Sequence, residues 1–522
     1  MPALPSWARG DRAALLALLA LAAILRFVDL PTRGTWDADQ GHDMLVLRAL
    51  IRDGAVPLLG PPTSIGDFHH GAWYYFLLAP AAALGGAAPE AVVGAIAAAG
   101  VAAVGVTWWV ARALGGSVAG LVAGLLMAAS ASAIEESMFI WNPNLIALSS
   151  SIALAGAVRA WSTQRARWWL LAAVGVVVTM QSHVLGAVLL PPIAVLLLLD
   201  ARRRGPGAER RDVLRAGLGG VGVLVVGYLP LAVHELTSGF AETGAVLDYL
   251  REGGEPVALG PLARIVFVAI RILAWPLTGL VTDALPAAIV ASAAVVAILA
   301  WRARAAGGTE RTFTRWMAAA LGWSAVALAN VAGGLATVTP GLPNDHYHAF
   351  LDPLVFATVG LGAAALWRAR GANADQGADA SVRTIARGLA VACVGGLILF
   401  NVVRWPPPSA PDGGWPAARA AAERIERSTG DRPVALLGLP DFKPADAIGF
   451  PLVDRGLAVV PATESDALVV VCDRLFEDAI GAPCGGPAEQ GAVGPADRFA
   501  ALVDRFDVSP RTSVSVYLAG RP

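Results

Sequence analysis

Trp36-Asp37-Ala38-Asp39-Gln40-Gly41-His42-Asp43 places three carboxylates and a histidine directly after the first apolar run of the chain. Asp39 and Asp43 are four residues apart, so a helix that begins near Asp37 would carry both carboxylates on one face. Asp37 fits the N-cap of that helix. Because three aspartates exceed what one cap requires, we interpret Asp39, Asp37 and Asp43 as a candidate catalytic cluster. The alternative is an ordinary polar loop.

Apolar residues dominate the rest of the chain. Of its 522 residues, 56% are hydrophobic and 15% are charged, and the mean hydropathy is +0.60. Soluble domains are about a quarter charged. Runs of about twenty apolar residues recur, which predicts a polytopic membrane protein. The net charge of −1, without a basic face, argues against nucleic acid as a partner.

The predicted fold is mainly α, a polytopic membrane helical bundle with a small C-terminal extracytoplasmic α/β domain. We place the transmembrane domain at 1–404 and the second domain at 405–522. Residues 71–86 and 262–276 are predicted to be interfacial helices. About eleven stretches have the length and composition of spans, at 12–30, 90–111, 116–134, 144–161, 168–182, 184–199, 212–230, 284–301, 316–337, 348–367 and 384–403.

The arginines predict the orientation. Up to Arg404, the loops on the amino-terminal side of the membrane hold twenty arginines and those on the other side hold eight. The positive-inside rule therefore places the amino terminus in the cytoplasm. With an odd number of spans, the aspartate cluster and the C-terminal domain lie outside. Few lysines and many arginines, glycines and alanines suggest a GC-rich bacterial source, so we expect a bacterial plasma (inner) membrane.

The C-terminal region alternates predicted helices and strands after the stiff, proline-rich segment at 405–411. Helices are expected at 416–428 and 444–456, and buried strands at 434–439 and 467–472. This alternation predicts a small α/β domain with a partly parallel sheet. Cys472 and Cys484 enclose a short loop, and outside the cytoplasm both a disulfide and free thiols are compatible with the sequence.

Other polar residues lie on the predicted outer side and would share a cavity with the aspartates. Each has a structural alternative, such as a helix cap or a hydrogen bond between helices. Arg264 and Arg271 are seven residues apart and share a face of the second interfacial helix. The candidate donor- and acceptor-binding residues are Glu135, Glu136, His69, His70, Tyr74, Gln181, His183, Arg264, Arg271, His346 and His348.

The first loop resembles that of the GT-C glycosyltransferases, in particular the branch of protein O-mannosyltransferases and lipid A aminoarabinose transferases. Asp39-Gln40 stands where that branch has an Asp-Glu pair, and His70-Gly71-Ala72-Trp73-Tyr74-Tyr75 stands where it has a His-Pro-Pro-Leu-Tyr-Tyr-like segment. Gln40 replaces the glutamate and the prolines are absent. The resemblance covers the membrane half of the chain, about 400 residues, and does not explain the C-terminal domain in detail.

The resemblance implies transfer of a sugar from a polyprenyl-phosphate-linked donor to a lipid, glycan or protein acceptor. Asp39 is then the general base that takes the acceptor proton. The phosphate that leaves needs cations or hydrogen-bond donors, for which His346, His348, His69, His70 and the Arg264/Arg271 face are candidates. Glu135 or Glu136 would orient the acceptor or the sugar. The use of a divalent cation stays open: Asp37-Ala38-Asp39 is a literal D-x-D that a cation could use, but members of the branch that this loop resembles do not all need one.

Two other classes of protein are also compatible with the sequence. A lipid-linked glycan ligase uses the same donors, usually with arginines and a histidine in later loops. A transporter or flippase without covalent chemistry would show internal repeats and charges near the middle of the membrane. The chain has no visible repeat, and its polar residues gather on one predicted face, which favours the transferase.

Overall fold

The computed structural model describes residues 9–63, 66–251, 259–336, 346–368, 376–493, 498–499 and 501–520. Helices dominate the first 403 residues, and a sheet with four strands follows. The helices are α1 Arg9–Phe27, α2 Leu30–Arg33, α3 Ala38–Arg52, α4 Trp73–Leu84, α5 Pro89–Gly115, α6 Ser117–Ala129, α7 Ala131–Glu135, α8 Ile146–Thr163, α9 Trp168–Ser182, α10 Leu190–Arg203, α11 Ala208–Gly227, α12 Leu229–Ser238, α13 Ala241–Arg251, α14 Pro261–Thr278, α15 Leu285–Ala305, α16 Gly308–Val331, α17 Asp352–Trp367, α18 Gln376–Val403, α19 Gly414–Thr429, α20 Asp446–Asp454, α21 Glu477–Ile480 and α22 Pro487–Val493.

Every predicted span coincides with one or two of these helices. Within the described residues, seven helices are long and apolar enough to cross a membrane, or eight if the bent pair α11 and α12 forms one span. Three shorter apolar helices, α4, α6 and α9, accompany them. The protein is therefore a helical membrane protein, and the number of eleven spans stays a prediction. The segment expected to be an interfacial helix at 262–276 is α14, which is itself long and apolar enough to span.

Small residues allow the central helices of the bundle to pack closely. A Cβ added to Gly360 of α17 would lie 2.4 Å from the carbonyl oxygen of Ala119 in α6, and one added to Gly175 of α9 would lie 2.4 Å from the amide nitrogen of Ala153 in α8. Close backbone approach at glycine and alanine is typical of helix packing in membranes, where apolar burial gives little driving force. Nearly all of α17 is buried by its neighbours, so it forms the centre of the bundle.

The C-terminal region forms a sheet with strand order β1-β2-β4-β3. The parallel pair β1 Val434–Leu439 and β2 Ala467–Asp473 confirms both predicted strands. The antiparallel strands β3 Ala501–Asp507 and β4 Thr512–Leu518 were not predicted. Cys472 and Cys484 are joined by a disulfide with an S–S distance of 2.01 Å, which settles the pairing that the sequence left open.

The C-terminal sheet region packs directly on α3 through α20. A Cβ added to Gly41 would lie 2.0 Å from the carbonyl oxygen of Asp446, so this contact requires a glycine. Nearby, Nδ1 of His42 lies 3.1 Å from Oδ2 of Asp446, and the indole nitrogen of Trp36 donates to the carbonyl of Ala447 at 2.8 Å. The helix that carries the aspartate cluster is therefore enclosed between the bundle and the C-terminal region.

Candidate active site

The first turn of α3 is built by a reciprocal cap. Asp37 accepts a hydrogen bond from the backbone of Ala38 at 2.7 Å, and the side-chain oxygen of Gln40 accepts one from the backbone of Asp37 at 2.7 Å. Nε2 of Gln40 donates to the carbonyl of Ile140 at 2.8 Å. This capping box satisfies backbone donors that a helix start leaves free. Gln40, which replaces the glutamate of the related branch, thus holds the helix start against the loop before α8.

The Asp37 carboxylate also faces two cations of the C-terminal region. Its Oδ2 lies 3.3 Å from Nη2 of Arg511 and 3.7 Å from Nζ of Lys443. Arg511 in turn holds Asp473, at 2.7 Å between Nη2 and Oδ2. Asp37 is therefore both a helix cap and an ionic contact to the C-terminal region.

Asp43 is buried one turn further along α3. The hydroxyl of Tyr74 donates to one carboxylate oxygen at 2.7 Å, and that of Tyr75 donates to the other at 2.9 Å. Burial raises the pKa of Asp43 to about 7, although both tyrosine hydrogen bonds oppose the shift. The predicted candidates Asp43 and Tyr74 therefore bond to each other and connect α3 with α4.

Asp39 is exposed, whereas Asp37 is half-buried and Asp43 is buried. Desolvation by the surrounding protein nevertheless raises the pKa of Asp39. The charge of Lys443, the charge of His42 and a hydrogen-bonding contribution from Trp141 oppose that rise. Asp39 is thus the most exposed aspartate of the cluster, and nearby charges adjust its basicity.

A chain of aromatic rings leads away from Asp39 through Trp141. The Trp141 ring lies 5.0 Å from that of His346 and 5.4 Å from that of Tyr347. Tyr347 stacks on His183 at 4.5 Å, and His183 lies 4.6 Å from His70. These residues come from four separate segments of the sequence, so the structure brings together the predicted candidates His70, His183 and His346.

The histidines within this row of aromatic rings are neutral and buried. Nε2 of His346 lies 2.7 Å from the side-chain oxygen of Asn144, and burial, aided by the charge of Arg271, lowers the pKa of His346 to about 3. Burial likewise lowers the pKa of His70 to about 3, and its Nδ1 accepts the backbone N–H of Val184 at 3.2 Å. Neutral imidazoles here offer N–H groups rather than charge.

Beyond His346 lies a second polar group at the end of α14. The indole of Trp275 donates to Oε1 of Glu136 at 2.8 Å, and its ring lies 5.3 Å from that of His348. Burial raises the pKa of Glu136 to about 8. Among the described residues, neither ring nitrogen of His348 and neither carboxylate oxygen of Asp352 has a hydrogen-bond partner.

Arg271 supplies the positive charge of this group. It is fully buried, donates from Nη1 to the carbonyl of Leu335 at 3.0 Å, and its charge acts on both His346 and His348. Glu135 is half-buried, and burial raises its pKa to about 6. Arg264 lies two turns before Arg271 on α14 and is only half-buried.

Two candidates lie apart from Asp39 in the structure. His69 bonds to Glu242 of α13, through its backbone N–H at 2.7 Å and its Nδ1 at 2.9 Å. Gln181 is buried against the Gly71 backbone, where a Cβ on Gly71 would lie 1.9 Å from its Oε1. Both contacts position the segment between α3 and α4.

Sequence reasoning missed Lys443 and Arg26. Lys443 is the lone lysine of the chain, but its contact with the first loop depends on how the C-terminal region packs. Arg26 is fully buried and donates to the carbonyl oxygens of Met127 and Ala128 at 3.1 Å each. An arginine inside the first apolar run was a visible signal, because charges there are costly unless they are used.

Asp37-Ala38-Asp39 was a candidate site for a divalent cation, but the described residues around it do not form a cluster of metal ligands. Across the described ranges, no three His, Cys, Asp or Glu side chains come together as a metal site. Asp37 is instead directed at Arg511 and Lys443. Of the two carboxylates of this D-x-D, that of Asp37 is therefore committed to an ionic contact with the C-terminal region.

Comparison with known proteins identifies the fold. Residues 69–225 match the family model described as dolichyl-phosphate-mannose-protein mannosyltransferase. The whole chain superimposes on ArnT from Cupriavidus metallidurans, at a TM-score of 0.61 with undecaprenyl phosphate bound and 0.54 in the apo state. The sequence identities are 15% and 16%, over 97% of this chain and 98% of that one.

A more distant match is the oligosaccharyltransferase of Archaeoglobus fulgidus tethered to an acceptor peptide, at a TM-score of 0.50 and 12% identity. It covers 90% of this chain and 69% of that one. None of the curated proteins matches the sequence. The chain therefore has the fold of the GT-C membrane glycosyltransferases, which confirms the resemblance seen in the first loop.

Proposed function

We propose that the protein is a membrane glycosyltransferase that moves a sugar from a polyprenyl-phosphate-linked donor to an acceptor, with Asp39 as the general base. The family-model match and the GT-C fold support this class of enzyme over a transporter. A single observation favours Asp39. It is the most exposed aspartate of its cluster, whereas Asp37 caps α3 and pairs with Arg511, and Asp43 is buried and held by two tyrosines.

The chemistry needs one base and one stabilised leaving group. The acceptor hydroxyl gives its proton to the Asp39 carboxylate while its oxygen forms a bond to the anomeric carbon. The bond between that carbon and the phosphate oxygen breaks, and the polyprenyl phosphate leaves with the electron pair. Trp141 and Lys443, which lower the proton affinity of Asp39, keep the carboxylate available as the base.

The buried group around Arg271 is suited to the departing phosphate. Arg271 supplies a fixed positive charge, and neutral His348, whose two ring nitrogens are unpartnered among the described residues, supplies one N–H donor. Charge stabilisation by fixed donors is strongest where water is excluded. The Trp141 ring lies against His346. The base, Asp39, and the phosphate site around Arg271 would therefore be separated by these two rings.

We also propose the orientation that the arginines predict. The amino terminus would be cytoplasmic, and the aspartate cluster would lie on the extracytoplasmic face of a bacterial plasma membrane. Residues 1–404 would form the membrane domain and 405–522 the extracytoplasmic domain. The disulfide Cys472–Cys484 supports that placement, because such bonds persist outside reducing compartments.

The test is sugar release from a panel of radiolabelled polyprenyl-phosphate sugars by purified protein in lipid. Parent protein should consume at least one donor, and Asp39→Asn should lose about a hundredfold or more of that turnover while still binding donor. Asp53→Asn serves as the matched control, because Asp53 is exposed at the far end of the same helix. Turnover by Asp39→Asn equal to that of the parent would remove Asp39 from the reaction.

A second arm addresses the competing classes. Donor binding measured by vesicle flotation, with no release of sugar when lipid, glycan and peptide acceptors are supplied, would favour a transporter or flippase. Transfer of a whole lipid-linked glycan rather than a single sugar would favour the ligase.

A further inference from the structure

We propose that the C-terminal region positions the base, Asp39, by holding the chain on both sides of it, and that Arg511 is a positioning residue of this contact. The inference rests on the proposed role of Asp39. It gives a role in the reaction to residues beyond 404, which the family-model match to residues 69–225 does not include.

The chain before Asp39 is held by Asp412, in the segment that leads to α19. Oδ2 of Asp412 accepts a hydrogen bond from the backbone N–H of Trp36 at 3.1 Å and another from the hydroxyl of Thr35. Its Oδ1 accepts the backbone N–H of Gly414 at 3.0 Å. One carboxylate therefore joins the first loop to the start of α19.

The Trp36 side chain is packed between α19 and α20. Its ring lies 4.5 Å from that of Trp415 and 5.8 Å from that of Phe450, and its indole nitrogen donates to the carbonyl of Ala447 at 2.8 Å. Trp36 is buried, and buried aromatic side chains dominate the energetics of cores and interfaces. The chain is therefore anchored to the C-terminal region three residues before Asp39.

The part of α3 that follows Asp39 is held by α20. A Cβ on Gly41 would lie 2.0 Å from the carbonyl oxygen of Asp446, so the two backbones are in direct contact there. Two turns further along, Nη1 of Arg48 lies 3.8 Å from Oδ1 of Asp454, the last residue of α20. Residues seven apart share one face of a helix, so this face of α3 lies along α20.

Arg511 connects the cap of α3 to the sheet. The carboxylate of Asp473, at the end of β2, accepts from its Nε at 3.0 Å and from its Nη2 at 2.7 Å. The same Nη2 lies 3.3 Å from Oδ2 of Asp37, the N-cap of α3. Because a guanidinium is planar and rigid, its bond to Asp473 fixes the direction in which it meets Asp37. Asp39 is the second residue of the helix that this cap begins.

The position of a general base affects the chemical step more than it affects donor binding. The base must lie within hydrogen-bond reach of the acceptor hydroxyl, and a displacement of about 1 Å can lower the rate about a hundredfold. The proposed phosphate site is built by Arg271 of α14 and by His348, which lie outside the C-terminal region. Loosening the contact at Asp37 should therefore lower kcat and leave the KM for donor unchanged.

The test measures sugar release by the full-length protein in lipid, with the donor that the parent consumes. We expect Arg511→Met to lower kcat about tenfold or more, while the KM for donor and the number of donor molecules bound per protein stay unchanged. Arg511→Lys keeps a cation near Asp37 and should recover part of the loss. Because bound donor counts the folded molecules, loss of folded protein is distinguished from loss of positioning.

A second variant tests the contact from the other side. Asp412→Ala removes the hydrogen bonds to Thr35 and Trp36 and should show the same fall in kcat with an unchanged KM for donor. It decides the question if Arg511→Met does not fold. Arg474→Met is the matched control and should keep the kcat of the parent, because Arg474 pairs with Asp507 within the C-terminal region.

The two proposals fail in different ways. A parental kcat in both Arg511→Met and Asp412→Ala would overturn the positioning role and leave the transferase intact. A kcat that falls only in proportion to the donor sites lost would show a purely structural contact and would overturn that role as well. Absence of sugar release by the parent with every donor would overturn the proposed function, and the role of Arg511 with it.

Discussion

The hydroxyl of Tyr74 donates a hydrogen bond to the buried carboxylate of Asp43 at 2.7 Å. Tyr75, the next residue, bonds the other oxygen at 2.9 Å. Two consecutive residues of a helix usually point in different directions. Both hydroxyls reach one carboxylate here because the first turn of α4 lies close to Asp43 on α3. Tyr74, a candidate donor- or acceptor-binding residue, and Tyr75 thus also link α3 with α4.

Tyr74→Phe should lower the stability of the folded protein by about 1–3 kcal/mol, because it leaves a buried carboxylate oxygen without its donor. Thermal unfolding in detergent measures the loss. A double-mutant cycle with Asp43→Asn should show strong non-additivity, since both changes remove the same contact. Additive effects would mean that the hydroxyl stabilises the protein through another contact.

The pH dependence of stability offers a second test of Asp43. Its pKa in the folded protein is raised to about 7, from 3.8, so the folded state holds this proton more tightly than the unfolded state. The contribution of Asp43 to stability is therefore largest below about pH 4 and is lost as the pH rises towards 7. Asp43→Asn should flatten this part of the curve of Tm against pH, and an unchanged slope would contradict the raised pKa.

Gly71→Ala should prevent correct packing of the segment between α3 and α4. The added Cβ would lie 1.9 Å from Oε1 of Gln181 and 2.9 Å from its Cα, so movement of the side chain alone does not relieve the overlap. We expect loss of folded yield, measured by size exclusion in detergent. Gly94→Ala on α5 is the control, since its Cβ would meet nothing within 4 Å.

Much of this architecture was predictable because periodicity and capping are local. The capping role of Asp37, the strands β1 and β2, and the helices under every predicted span all follow from nearby residues. The β3–β4 hairpin was missed although Ser513 to Tyr517 alternates polar and apolar residues. That alternation was a local signal, and it alone would have extended the predicted sheet.

The different environments of Asp37, Asp39 and Asp43 could not be predicted from the sequence. Spacing placed Asp39 and Asp43 on one face, but burial of Asp43 depends on Tyr74 and Tyr75, and exposure of Asp39 depends on where Trp141 and the C-terminal region lie. Likewise, the approach of Lys443 to Asp37 joins residues 406 positions apart in the chain. Such long-range contacts carry no local pattern.

Breaking the disulfide should loosen the C-terminal region and its contact with α3. Cys472 precedes Asp473, which binds Arg511, which in turn reaches Asp37. Replacing both cysteines by serine should cost about 3 kcal/mol, as expected for a loop of this length. The measurement is unfolding of the double variant compared with the parent under non-reducing conditions, and equal midpoints would show that the bond adds no stability.

Arg271→Lys should weaken the donor site with little effect on the fold. The guanidinium donates to the carbonyl of Leu335 and keeps further N–H groups in a fixed plane, which a lysine does not reproduce. If Arg271 holds the departing phosphate, the KM for donor should rise about tenfold or more, the usual scale of about 1.4 kcal/mol for one strong charged contact. Arg264→Lys is the matched control, because Arg264 lies on the same helix but is only half-buried. Equal effects of the two changes would indicate that α14 attracts the donor by its overall charge, whereas a rise confined to Arg271→Lys would locate the phosphate beside His346 and His348.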